Sequence, residues 1–69
     1  NDEIADMILN HLDLLVIAKD EYRALREMRT HAAFYTAGMK NSAAFRREIN
    51  FTQTIDEFVK KVNEIRDMK

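Results

Sequence analysis

Thr54-Ile55-Asp56-Glu57-Phe58-Val59-Lys60-Lys61-Val62-Asn63-Glu64-Ile65 decides the fold class of this chain. It opens as a capping box: the Thr54 hydroxyl can accept the N–H three residues on, and Glu57 can reach back to the Thr54 N–H. Ile55, Phe58, Val59, Val62 and Ile65 then recur every three or four residues and form one apolar stripe. The early acids Asp56 and Glu57 suit the positive end of a helix dipole, which gives them a structural role. A helix over about 54–68 is predicted.

Working backward, Ser42 to Ile49 is a short helix anchored by Phe45 and Ile49 at i, i+4, with Asn41 or Ser42 as its cap and Arg46 and Arg47 facing outward. Gly38 is expected to end the preceding helix, about 21–37, as a left-handed C′ glycine. In that helix Ala24, Leu25, Met28, Ala32 and Tyr35 share one side, while Arg23, Arg26, Arg29 and Thr30 share another wedge. The arginine stems span roughly 9 Å of axis, one or two phosphate spacings. The first helix, about 3–19, carries Ile4, Met7, Ile8, His11, Leu14, Leu15 and Ala18 as its expected core stripe. Leu12 and Val16 widen it and Ile17 lies nearly opposite, so this helix is expected to touch more than one neighbour. Lys19-Asp20 is either a break or a kink in one continuous helix; Asp20 is able to cap. The expected architecture is all-α, a small four-helix bundle forming a single domain over 1–69.

Composition agrees. The 69 residues include one glycine, no proline and no cysteine, with 46% hydrophobic and 33% charged side chains, which disfavours turn-rich β architecture and disordered linkers alike. Without cysteine there is no disulfide, thiolate metal site or cysteine nucleophile. The longest apolar run, Leu14 to Ala18, falls far short of the roughly 20 residues that cross a bilayer, so no membrane role is expected. The chain begins at Asn1, not Met, and is expected to be a fragment or a trimmed product.

Charge is distributed in blocks. Residues 1–21 carry six acids and one base, and residues 22–47 carry six bases and one acid. Residues 48–69 carry four bases and five acids. Five of the six middle bases are arginine, the side chain whose planar fork matches phosphate. The alternative for such a block is a solvated helix surface. No Gly-rich phosphate loop or HExxH is present, and His11 and His31 lack an obvious third ligand, so no metal is expected. Ser42 has no activating base at a predictable spacing. His11 is expected to be a packing residue, and His31 and Phe34 are secondary contact candidates.

Glu27-Met28-Arg29-Thr30-His31-Ala32-Ala33-Phe34-Tyr35-Thr36-Ala37-Gly38, followed by Ala44-Phe45-Arg46-Arg47-Glu48-Ile49-Asn50, resembles the C-terminal helical domain of bacterial tRNA-dihydrouridine synthases. His11 to Leu15 and Tyr22 to Arg26 also look like that family, and the resemblance runs from about Ile4 to Ile65. Thr30 stands where the family usually has Lys, and Phe34 where Trp is common. The resemblance implies a cytoplasmic parent oxidoreductase with an FMN-binding (β/α)8 barrel ahead of this domain, reducing uridine to dihydrouridine in tRNA with NADPH as reductant. It places catalysis and cofactor binding in the barrel and none here, and makes tRNA and the barrel of the same chain the partners. It implies tRNA contacts at Arg29, Arg46 and Arg47; charge alone adds Arg23, Arg26 and Lys40. Two other readings compete: a helix-turn-helix DNA reader built on the second and third helices, and a protein-interaction bundle.

Overall fold

Helices form where the stripes predict them, and the described residues contain no strand. The computed structural model describes residues 2–40 and 42–67. Its elements are α1 (Asp2–Ala18), α2 (Glu21–Tyr35), α3 (Ser42–Ile49) and α4 (Ile55–Asn63), with a 3₁₀ turn over Glu64–Asp67.

The Lys19-Asp20 alternative resolves as a break. Asp20 is extended (φ −76°, ψ 166°), and its side chain accepts the Arg23 N–H at 2.8 Å, a standard N-cap. Contacts of Lys19 with Glu27 and of His11 with Tyr35 show that α1 and α2 run antiparallel. α4 returns along α1, and Arg66 of the 3₁₀ turn reaches Asp2 at 3.5 Å and Asp6 at 2.8 Å. The core joins Ile8 and Leu12 of α1, Leu25 and Met28 of α2, Phe45 and Ile49 of α3, Phe58 and Val62 of α4, and Ile65. The Cα radius of gyration, 10.9 Å, matches the ~11 Å expected for one domain of this length.

Three expectations are corrected. The buried arc of α1 is centred on Ala5, Ile8 and Leu12, whereas Met7 is 51%, Leu14 67% and Ile17 83% exposed. The core face is thus rotated from the expected stripe by about 100°, one residue's turn. α1 is apolar over so much of its circumference that two neighbours, α2 and α4, choose the face.

Gly38 is not a left-handed cap. α2 stops earlier, at Tyr35, and Thr36 (φ −100°, ψ 2°) ends it. The buried Thr36 hydroxyl donates back to the Ala32 carbonyl at 2.9 Å, and Met39 N–H donates to the Thr36 carbonyl at 3.0 Å. Gly38 keeps φ outside the left-handed region and a Cβ there would meet nothing within 4 Å.

α4 has its Thr54 cap, with Glu57 N–H to Thr54 Oγ1 at 3.1 Å, but the Glu57 carboxylate takes the Gln53 N–H at 3.3 Å in place of the Thr54 N–H. Its α-helical part ends at Asn63 and tightens into the 3₁₀ turn. Asn41 as a cap, and the Met68 end of the expected helix, lie outside the described residues.

Gly38→Ala is expected to raise stability by about 0.4–1 kcal/mol, because it restricts the unfolded chain without strain in the folded one. A urea unfolding midpoint below that of the parent chain would contradict this account of the turn.

Candidate nucleic-acid interface

On α2, Tyr22, Arg26 and Arg29 stand at i, i+4 and i+7 and so share one face. With Leu25, and with Gln53 from the α3–α4 connector, they line a surface recess of about 320 Å³. Arg29 is half-buried, and its guanidinium Nη2 donates to the Thr52 carbonyl. Its Nε is buried without a protein partner. Thr52 is itself fixed, since its hydroxyl donates to the Ile49 carbonyl at 2.7 Å. One guanidinium therefore ties α2 to the connector and leaves Arg26, exposed, at the rim.

The other expected contact residues do not line this recess. Arg23 is exposed and sits 3.6 Å from Asp20, its own helix cap. Lys40 is exposed beyond the end of α2, Arg47 is exposed on the outer side of α3, and Arg46 is half-buried beside it. Among the described residues, none of these six cations pairs with an acid of α1, whose Asp2 and Asp6 engage Arg66. Arg23 apart, which pairs with Asp20, the cations of the middle block have no acid partner among the described residues.

Phe34 is 73% exposed, and His31 lies elsewhere, in the α1–α2 seam. There the His11 and His31 rings approach with centroids 4.5 Å apart, and Tyr35 Oη lies 3.3 Å from His11 Nδ1. Glu27 closes this seam, 2.6 Å from Lys19 Nζ. The Lys19 ammonium, then the positive fields of His31 and His11, hold the Glu27 carboxyl below its ordinary value of 4.5 despite partial desolvation. His11 is thereby a packing and hydrogen-bonding residue, as expected.

Tyr22 and Gln53 were not legible as recess residues. The i, i+4, i+7 pattern places Tyr22 with Arg26 and Arg29, and Arg23, at spacing three from Arg26, does not line the recess. Gln53 belongs to a connector, where no period applies.

A larger recess, about 530 Å³ between α1 and α4, is lined by Leu9, Leu12, Val16, Ile17, Ile55 and Val59 and edged by Asp13 and Glu21, the wrong sign for a flavin phosphate. Among the described residues no group of three or more His, Asp or Glu side chains is placed to hold a metal ion. None of their helices is long and apolar enough to cross a membrane.

Two outcomes test this geometry. Arg29→Ala is expected to lower unfolding free energy by about 1–3 kcal/mol, because it leaves the Thr52 carbonyl without its charged donor; equilibrium urea melts measure this. Glu27 has a depressed folded pKa, so its contribution is present above the unfolded value and is lost as pH falls through the folded one. Glu27→Gln is accordingly expected to flatten the fall in thermal midpoint on acidification below about pH 4.5, while leaving the shape of the profile between pH 6 and 8 unchanged.

No family model matches the chain, and no solved structure matches it. Two curated relatives, from two strains of Mycobacterium tuberculosis and each named "Probable tRNA-dihydrouridine synthase", are 36% identical to it over 55 residues, 80% of this chain. The chain spans 14% of the length of these relatives. The resemblance seen in the sequence is thereby supported by relatives of that name: this helical chain is similar to a segment of tRNA-dihydrouridine synthases.

Proposed function

We propose that residues 1–69 are the tRNA-gripping C-terminal domain of an FMN-dependent tRNA-dihydrouridine synthase, a cytoplasmic enzyme that reduces uridine in tRNA with NADPH. The observation that carries this reading is the cationic middle block. The acids of α1 leave it unpaired, and it coincides with the segment that resembles this family. Arg26 and Arg47, both exposed, are the principal phosphate contacts; Arg23, Lys40 and Arg46 add to them, and Arg29 presents the charge that its bond to Thr52 leaves over. Such contacts address phosphate and ribose, so they read the shape of folded RNA more than its sequence.

No step of the reduction is assigned to the residues of this chain. Their part is to hold tRNA while the target uridine is presented to a barrel domain elsewhere in the polypeptide. Met7, Leu14 and Ile17, exposed along α1, support a docked neighbour of that kind. The helix-turn-helix reading is less favoured. α3 is eight residues long and buries Ser42, Phe45 and Ile49, which leaves mainly Ala43, Ala44, Arg47 and Glu48 to meet base edges.

In the full-length protein, Arg26→Ala and Arg47→Ala are each expected to weaken binding of folded tRNA. Each should also reduce the slope of log affinity against log salt by roughly 0.7–0.9. Titrations at two or more salt concentrations measure both; an unchanged slope in both variants rejects the reading.

A further inference from the structure

Tyr22 is 73% exposed in the first turn of α2, where neither packing nor a hydrogen bond among the described residues accounts for it. It forms one wall of the recess that Arg26 and Arg29 line, and Gln53 stands in the same recess. A second recess, about 240 Å³, adjoins it and shares Tyr22, Leu25 and Gln53, adding Glu21, Thr54 and Ile55. Tyr22 therefore stands between a side lined by guanidinium groups and a side lined by carboxylate, hydroxyl and apolar groups.

These are the complements of one unpaired nucleotide. A nucleobase offers an apolar ring face, an edge of donors and acceptors, and a phosphate anion one sugar away. A base inside a duplex keeps both ring faces stacked on its neighbours, so an exposed aromatic ring can engage only a base from a loop, bulge or end. At about 320 Å³ the recess is at the lower end of small-ligand sites, roughly 300–1,000 Å³, the scale of a single monomer unit.

We propose that Tyr22 is a stacking platform for one unpaired nucleotide of the bound RNA, with Arg26 and Arg29 toward its phosphate and the Gln53 amide toward its base edge. The site rests on the RNA-binding reading above and adds a selection that the cations do not supply, for an unstacked base at a fixed place on the fold. Stacking is insensitive to salt, whereas phosphate contact is not, and this separates the two contributions.

The test measures tRNA affinity at several salt concentrations for the full-length protein and its Tyr22→Ala, Tyr22→Phe, Tyr22→Leu and Arg26→Ala variants. Because Tyr22 is largely exposed, its substitution leaves the core intact. Tyr22→Ala is expected to weaken binding about tenfold with no change in salt slope. Tyr22→Phe should bind as the parent, Tyr22→Leu should bind as weakly as Ala, and Arg26→Ala should lower the slope. Wild-type affinity in Tyr22→Ala, or rescue by Leu, overturns the stacking site even if Arg26→Ala loses slope and the RNA-binding reading stands. If no variant, Arg26→Ala included, alters binding or slope, the RNA-binding reading falls with it.

Discussion

The bond from the Arg29 guanidinium to the Thr52 carbonyl is the constraint on which the cationic face depends. Backbone and hydroxyl bonds of Phe51 and Thr52 to the last carbonyls of α3 hold the α3–α4 connector locally, and the Arg29 bond ties it to α2. Arg29 fixes the connector from α2, Thr52 fixes it from α3 through its hydroxyl, and the Thr54 cap starts α4 immediately after. Gln53 is thus held between two pinned neighbours and faces the same recess as Arg26. The same guanidinium that gives the surface charge also builds the surface, so Arg29 and Arg26 are not equivalent even though both lie on one helical face.

The acids and bases divide by task. Several pairs tie elements together: Asp2 and Asp6 take Arg66, Lys19 takes Glu27, and Lys61 lies between Glu48 and Glu64. The neighbouring carboxylates, Glu48 first, raise the Lys61 pKa, and Asp6 above all does the same for Arg66, so both cations are held charged where they serve as links. Exposed pairs of this kind add little stability singly, roughly 0–1 kcal/mol. Among the described residues no arginine of α2 or α3 pairs with an acid of α1, and a near-zero net charge coexists with a cationic block in the sequence.

The helices were legible because each carries a stripe of the right period, and α4 most of all, with its cap and four strongly apolar positions after Ile55. The face of α1 was not legible. A stripe broad enough for two neighbours gives period without phase, and only the docking of α2 and α4 supplies the phase that buries Ala5 and exposes Leu14. Gly38 misled for a related reason: a glycine near a helix end suggests a cap, but a threonine hydroxyl two residues earlier satisfies the same carbonyls. At the candidate interface the cations were legible as a block of charge. Their division into a bridging Arg29, a cap-bound Arg23 and an exposed Arg26 is a tertiary outcome, as is the meeting of Tyr22 with Gln53 across 31 positions of chain.

The clasp of Arg66 on Asp2 and Asp6 also brings the opening and closing turns of the bundle side by side. Fraying of either turn strips the other of its partner, so the first turn of α1 and the 3₁₀ turn are expected to open as one unit.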